Sequence, residues 1–204
     1  MLRIKKRATT DDDTRLVSAC KQGDMDAFDA LVRKYQKKMF NIAFRITGDH
    51  DDACETVQEA FLSACRGVKG FRGDSCFSTW LTAITVNLAR NRLKQMQGRR
   101  CREVLSLDDP IRTENGCMAA DPPSDAETAQ EQLERQELRR QVWECIGYLD
   151  PDFRSVLVLR DMQDFSYEEI GGMLKLALGT VKSRISRARE AIRDCLKSKL
   201  GDIL

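Results

Sequence analysis

Residues 166–189, SYEEIGGMLKLALGTVKSRISRAR, constrain the fold more than any other part of the chain. Ser166 and Glu169 have the spacing of a capping box, in which each side chain accepts a hydrogen bond from the other residue's backbone N–H. Apolar residues recur at helical spacing on both sides of a break at residues 175–179, namely Ile170, Leu174, Val181, Ile185 and Ala188. The segment therefore predicts two short helices joined by a tight turn.

The second of these helices is strongly basic. Residues 180–200 contain seven Lys or Arg and two acidic residues, a balance that attracts a phosphate backbone. Ser183, Arg184 and Arg187 project from the side opposite the apolar residues, as in a recognition helix that reads base edges with its first turns. A basic face that is merely solvated is the alternative. The turn normally uses Gly in the left-handed region, so Lys175 there costs about 1 kcal/mol.

Helical periodicity covers nearly the whole chain, and strand patterns are missing from the sequence. Between residues 98 and 126 the periodicity disappears, and three of the four prolines, Pro110, Pro122 and Pro123, lie there. Residues 103–137 carry ten acidic and two basic residues. We therefore expect an all-α protein with two small helical domains, residues 11–97 and 127–204, joined by a flexible acidic linker at 98–126.

The sequence offers little for catalysis or metal binding. It has one histidine, no nucleophile elbow and no phosphate-binding glycine loop, which argues against a hydrolase or redox enzyme. The eight cysteines show no zinc-ligand spacing; His50 and Cys54 are four residues apart, but a site needs about four ligands. We expect no catalytic residue, no metal and no cofactor, with Cys54 and Cys65 on the apolar face of their helix.

A redox role for Cys101, which has arginines on both sides, is a separate hypothesis. An unchanged oxidant response in Cys101→Ser would exclude it. Apolar runs of membrane-spanning length and a secretory signal are both missing from the sequence, so we expect no membrane insertion and a cytoplasmic location.

The first domain also has a basic helix, FSTWLTAITVNLARNRLKQM at residues 77–96. One face carries Asn and Arg side chains, and the preceding loop FRGDSCF adds aromatic and basic residues. Such a surface binds single-stranded bases by stacking and by attraction to the backbone, and paired Asn side chains can bond base edges. The alternative is that Trp80 belongs to the core and the polar face is only solvated.

Three blocks, in order, resemble those of a known family: DDACETVQEAFLSAC, FRGDSCFSTWLTAITVNLARNRL, and LDPDFRSVLVLRDMQDFSYEEIGGML followed by LGTVKSRISRAREAI. They are similar to bacterial RNA polymerase sigma factors of the extracytoplasmic-function group. The resemblance covers roughly residues 24–197, with the linker least similar. It implies a protein that binds core RNA polymerase and directs promoter-specific initiation, recognising and melting the minus-ten element with its first domain and contacting the minus-thirty-five element with its second.

The resemblance also implies roles for single residues. Four positions in the acidic helix match the polymerase-binding segment: Asp52, Gln58, Glu59 and Leu62. The minus-ten positions, which capture a flipped base and help open the duplex, are Phe71, Arg72, Phe77, Trp80, Asn87, Asn91 and Arg92. The minus-thirty-five positions are Thr180, Lys182, Ser183, Arg184 and Arg187. The family pattern has alanine and a larger polar residue where this chain has Gly171 and Gly172.

Partners follow from the same resemblance: core RNA polymerase, duplex and single-stranded promoter DNA, and an anti-sigma factor that holds the protein inactive until a stress signal releases it. The main alternative is a stand-alone regulator that uses the first domain as a sensor. On the charge counts, the acidic linker could also fold against the two basic surfaces and weaken DNA binding by the isolated protein. Unchanged DNA affinity after removal of the linker acids would exclude that hypothesis.

Overall fold

A computed structural model describes residues 11–103 and 129–200, and every regular element in these ranges is helical, which confirms the all-α prediction. The first domain contains α1 (Asp11–Lys21), α2 (Met25–Thr47), α3 (His50–Gly67), the 3₁₀ turn Val68–Gly70 and α4 (Phe77–Glu103). The second contains α5 (Ala129–Gly147), α6 (Pro151–Leu157) with a π-helical turn at Val158–Met162, α7 (Tyr167–Leu174) and α8 (Leu178–Leu200).

Short polar side chains start the helices of the first domain. The Asp24 carboxylate accepts a hydrogen bond from the Ala27 N–H at 3.1 Å and begins α2. Gly48, at φ 79°, ends that helix in the left-handed region, which glycine adopts without steric cost. Asp49 then accepts from the Asp52 N–H at 2.8 Å and begins α3. These local contacts set the bends between α2 and α3.

The first-domain core lies between α2, α3 and α4. Its fully buried side chains are Leu31, Met39, Ile42, Ile46, Phe77, Leu81 and Val86. Helix α1 is fixed to α2 through Asp13, whose carboxylate accepts from the Tyr35 hydroxyl at 2.5 Å and from Lys34 Nζ at 2.6 Å. This core holds α4, the basic helix, with one face turned away from α2 and α3.

The second domain packs α6, α7 and α8 around Val156, Leu159, Phe165, Ile170, Val181 and Ile185. A disulfide between Cys145 and Cys195 joins α5 to α8 across a separation of 50 residues. The sequence analysis did not predict this bond, because the spacing of two cysteines on separate helices carries no sign of their proximity. Cys54 and Cys65, predicted on an apolar face of α3, both line an apolar groove between α2 and α3; Cys54 is exposed there, and Cys65 is half-buried against the core.

The two domains touch through α6 and α7 of the second and α2 and α4 of the first. Arg154 on α6 is buried and donates to the carbonyl oxygens of Ile46, at 2.7 Å, and Gly147. These carbonyls lie at the C-terminal ends of α2 and α5, where the helix dipoles favour a cation. Burial lowers the pKa of Arg154 to about 10, so the side chain stays charged at neutral pH. Arg154 therefore fixes the second domain against the end of α2.

Helix α4 is longer than the sequence indicated. It continues through Gly98 to Glu103, into the segment predicted as linker, because one internal glycine costs only about 1 kcal/mol of helix stability. Residues 104–126 of the predicted linker, with Cys117, and the side chain of Cys101 lie outside the described residues. Within 11–103 and 129–200, no helix is both long enough and apolar enough to span a membrane.

Candidate nucleic-acid interface

The helix-turn-helix of the second domain consists of α7, the turn and α8. Both capping-box bonds are present: the Ser166 N–H donates to Glu169 Oε2 at 2.8 Å, and the Glu169 N–H donates to Ser166 Oγ at 3.2 Å. Lys175 ends α7 in the left-handed region at φ 54°, as the sequence indicated. A Cβ at Gly171 would come within 2.9 Å of the Leu176 carbonyl oxygen. Gly171 therefore allows the turn to lie close against α7.

Helix α8 buries its apolar stripe and exposes its basic face. Val181, Ile185 and Ala188 are buried, whereas three of the predicted minus-thirty-five residues, Lys182, Ser183 and Arg187, are exposed. The other two are half-buried. Thr180 accepts a hydrogen bond at its carbonyl from the Ser183 hydroxyl at 3.0 Å, and Arg184 Nη2 lies 3.2 Å from the Asp152 carboxylate. The exposed face presents cationic and hydroxyl side chains, the kinds that bond phosphate oxygens in protein–DNA complexes.

A groove beside this face extends the basic surface toward the C-terminal half of α8. It has a volume of about 470 Å³ and is lined by Tyr167, Lys182, Ile185, Ser186, Arg189, Glu190 and Arg193. Arg189 is held by Asp161 at 2.5 Å, and Arg160 lies over the Tyr167 ring at 5.0 Å. The groove therefore brings Arg189 and Arg193 together with Lys182 in one lining.

The aromatic loop of the first domain forms a cluster at the start of α4. The Phe71 ring lies 5.0 Å from Trp80 and 6.1 Å from Phe77, and Phe77 lies 5.7 Å from Trp80. Phe71 and Trp80 are half-buried and Arg72 is exposed, but only 1% of Phe77 is accessible. The sequence analysis placed Phe77 near the surface; it lies in the core because the helix start turns its ring inward, beneath Phe71 and Trp80.

The basic face of α4 lies partly against the second domain. Asn87 is half-buried and donates to the Met173 carbonyl of α7 at 3.2 Å, whereas Asn91 is exposed. Arg90 Nη2 lies 3.4 Å from Asn87 Oδ1. Lys94 Nζ lies 2.8 Å from the Asp152 carboxylate, which also contacts Arg184. Of the two predicted asparagines, Asn91 alone is open to solvent in this arrangement.

Two residues predicted for different surfaces bind each other. Arg92 Nε donates to Asp52 Oδ1 at 2.6 Å, and Arg92 Nη1 lies 2.6 Å from Glu55. The hydrogen bond to Asp52 raises the pKa of Arg92 above its ordinary value. Asp52 itself is only 8% exposed. In this structure Asp52 thus forms an ion pair that joins α3 to α4, and its contact with polymerase stays a prediction.

The remaining predicted polymerase-binding residues lie on the open face of α3. Gln58, Glu59 and Leu62 are exposed, Leu62 to 50%. Gln58 and Leu62 also line an apolar groove of about 700 Å³ between α2 and α3, together with Met25, Phe28, Val32, Phe40, Val57 and Phe61. At the edge of this groove, Cys54 Sγ lies 3.7 Å from His50 Nδ1. Within the described residues, no group of three or more potential ligands could hold a metal ion.

Comparisons with known proteins match the two domains to two different regions of one protein family. Residues 31–100 match Sigma-70 region 2, and residues 139–192 match Sigma-70, region 4. The chain is 38% identical over 194 residues to the RNA polymerase sigma-H factor of Pseudomonas aeruginosa, which covers 95% of this chain and 98% of that protein. It is 40% identical over 180 residues to the ECF RNA polymerase sigma-E factor of Escherichia coli strain K12, covering 88% and 92% of the two chains.

A solved structure gives a similar fold. The sigma factor RpoE in complex with the anti-sigma factor NepR, from Bartonella quintana, superimposes with a TM-score of 0.58 at 25% identity, over 83% of this chain and 96% of that chain. A stand-alone regulator with a sensor domain does not fit, because the first domain matches Sigma-70 region 2. The chain belongs to the extracytoplasmic-function group of the sigma-70 family of RNA polymerase sigma factors.

Proposed function

We propose that the two domains divide promoter recognition, with polymerase binding and minus-ten opening in the first and minus-thirty-five recognition in the second. As a sigma factor, the protein binds core RNA polymerase, directs promoter-specific initiation and is not an enzyme. The main support for this division of promoter recognition is the exposed basic face of α8. A capped helix-turn-helix presents Lys182, Ser183 and Arg187 on that face. A duplex groove accepts a helix of this kind.

Polymerase binding is assigned to the open face of α3. Gln58 and Glu59 are exposed, and Leu62 borders the apolar groove between α2 and α3. A polar helix face beside an apolar groove suits a partner helix, which places apolar residues in the groove and polar residues along its rim. Glu59→Lys should therefore lower the affinity for core polymerase without changing duplex binding by α8.

Opening of the minus-ten element is assigned to the aromatic cluster and the exposed part of α4. Phe71 and Trp80 offer half-buried rings on which an unstacked base can lie, and Arg72 is exposed beside them. Extrusion of a base costs a few kcal/mol, which such stacking can offset. Asn91 lies on the same helix and is free to bond base edges.

An anti-sigma factor is the proposed regulator: it would hold the protein inactive until a stress signal releases it. The support is the similarity to RpoE, which was solved in complex with the anti-sigma factor NepR. The protein would act in the cytoplasm, where transcription takes place. Purification of the chain from its source bacterium should recover a protein that inhibits its transcription in vitro. Recovery of polymerase subunits alone, before and during stress, would contradict this regulation.

The test of the function is transcription by purified core RNA polymerase on fragmented DNA of the source bacterium, with and without the protein. Mapping of RNA 5′ ends should show new start sites that share two spaced upstream motifs. The control is the Arg187→Ala protein, which should lose starts whose upstream motif is weak. If no new start appears while the protein alone binds a specific duplex, the proposed function is wrong.

A further inference from the structure

The C-terminal end of α1 lies beside the aromatic cluster at the start of α4. Lys21 is the last residue of α1, and its Nζ lies over the Phe71 ring, 5.8 Å from the ring centre. Helix α1 also contacts the 3₁₀ turn Val68–Gly70, which leads directly into Phe71. The segment that matches Sigma-70 region 2 begins at residue 31, so the whole of α1 lies outside it. The similarity to the family therefore gives Lys21 no role.

The fold fixes the backbone at this end of α1. Val17 and Cys20, which precede Lys21 by one turn and by one residue, are buried in the first-domain core. The Gly23 N–H donates to the Cys20 carbonyl oxygen at 3.0 Å, and Gly23 itself has a left-handed φ of 97°, which ends the helix in a tight turn. The main chain of Lys21 is thus held in place, while its side chain is exposed.

The charge of Lys21 is not neutralised by a neighbour. Among the described residues no carboxylate forms an ion pair with Lys21, whereas Lys34 of α2 lies 2.6 Å from the Asp13 carboxylate. The contact of Lys21 with the Phe71 ring is a cation–π contact, which is weak where the cation is exposed to water. The ring therefore keeps the ammonium group beside the cluster and leaves its charge for an anionic ligand.

The rest of the cluster is packed against the protein. A Cβ at Gly67 would lie 3.3 Å from Trp80 Cζ2, so the Trp80 ring lies close against the end of α3. Phe77 contacts both other rings and is only 1% exposed. Phe71 is half-buried, and it is the ring of the cluster that Lys21 contacts. A base that stacks on Phe71 therefore has the Lys21 ammonium group within reach of its own backbone.

We propose that Lys21 is a further DNA-contacting residue of the minus-ten site, and that it binds the phosphate of the nucleotide whose base lies on Phe71. The inference rests on the proposed function, because it takes the aromatic cluster to be the place where an unstacked base is held. Single strands are bound by rings that stack on the bases together with cations that contact the backbone. Arg72, which follows Phe71 in the chain, is one such cation, and Lys21 supplies a second from a different helix.

The salt dependence of binding reports a phosphate contact. Each phosphate of a single strand that a protein neutralises changes the slope of log K against log salt concentration by about 0.7. At 0.1 M salt, the loss of one such contact corresponds to about fivefold weaker binding. A side chain that only supported the Phe71 ring would change the affinity but leave this slope as it is.

The experiment compares Lys21→Ala, Lys21→Arg and Arg15→Ala in the full chain bound to core RNA polymerase. Arg15 is a matched control, because it is an exposed cation of the same helix that lies on a different face from Lys21. The ligand is a fluorescein-labelled single strand that carries the non-template minus-ten sequence of a promoter found by start-site mapping. Anisotropy measures the affinity of each complex for this strand over a range of salt concentrations.

We expect Lys21→Ala to bind the strand about fivefold more weakly at 0.1 M salt, with a slope that is smaller by about 0.7. Lys21→Arg should keep the parental slope, and Arg15→Ala should bind as the parent does. An unchanged slope for Lys21→Ala, or equal losses in the two alanine variants, would overturn the proposal. Circular dichroism of each variant checks that its helices are intact.

A strand of scrambled sequence separates this inference from the proposed function. If the parent complex prefers the promoter strand to the scrambled strand, while Lys21→Ala keeps the parental affinity and slope, the role of Lys21 alone is overturned. If the parent complex shows no such preference and directs no start sites, the proposed function is contradicted, and the role of Lys21 in it falls as well.

Discussion

At the scale of single residues, the pairing of Asp52 with Arg92 shows how a side chain assigned to binding can also serve the fold. The two residues are 40 positions apart, and their 2.6 Å contact joins α3 to α4. Helical spacing identifies the face on which each residue lies, but it does not show what the next helix places opposite. Within the predicted polymerase-binding set, Gln58, Glu59 and Leu62 are exposed, whereas Asp52 is buried.

Asp52→Asn should lower the free energy of unfolding by about 1.5–3 kcal/mol, because Arg92 would keep a half-buried charge with a weaker acceptor. Urea unfolding followed by circular dichroism measures the change. Glu59→Gln is the control on the exposed face of the same helix and should change stability by less than about 0.5 kcal/mol. Equal losses in the two variants would argue against a structural role for Asp52.

Variants of Phe77 and Phe71 should distinguish a role in core packing from a role in base capture. Phe77→Ala removes a ring that is 1% exposed and should cost about 3–5 kcal/mol of stability. Phe71→Ala removes a half-buried ring and should lower stability by less. It should also reduce the permanganate reactivity of the melted minus-ten region in complexes with polymerase. Full melting by Phe71→Ala would remove this residue from the proposed opening site.

At the scale of helices, the sequence predicted those features that depend on residues close together along the chain. The capping box of Ser166 and Glu169 and the left-handed Lys175 follow from a few adjacent residues, and the structure confirms them. The Cys145–Cys195 bond and the position of Asp152 depend on how helices pack, and neither leaves a local pattern. Asp152 follows a cap and a proline, so its sequence context indicates only the first turn of a helix.

Two adjacent glycines in α7 provide a test of the helix-turn-helix geometry. Gly172→Ala should stabilise the second domain by about 1 kcal/mol, because the helix gains Ala and no atom lies within 4 Å of the new Cβ. Gly171→Ala should gain less, since its Cβ would lie 2.9 Å from the Leu176 carbonyl oxygen. Thermal unfolding measures both; a larger gain for Gly171→Ala would contradict the close turn.

The disulfide between α5 and α8 should stabilise the second domain. It closes a long segment, for which the loss of chain entropy in the unfolded state predicts about 4 kcal/mol. Cys145→Ser with Cys195→Ser should therefore lower the melting temperature of the oxidised protein, and dithiothreitol should have the same effect on the parent. A parent that melts at the same temperature with and without dithiothreitol would contradict a contribution from this bond.

At the scale of the whole molecule, the basic helices α4 and α8 of the two domains both contact α6. The sequence predicted the two domains and their order, because charge and periodicity change along the chain at the linker. It did not predict their contact, which depends on Arg154 at the end of α2 and on Asp152 between α4 and α8.

The most direct test of the proposed division of labour compares Arg187→Ala and Asn91→Ala, as complexes with core polymerase, on a promoter found by start-site mapping. Both residues are exposed, so neither change should disturb the core. Arg187→Ala should weaken duplex binding by about 1–3 kcal/mol while the bound complexes still melt. The Asn91→Ala complex should bind the duplex as the parent complex does. It should melt less of the promoter, as measured by permanganate reactivity. If both variants lost duplex binding equally and melted normally, the assignment of the two steps to separate domains would be contradicted.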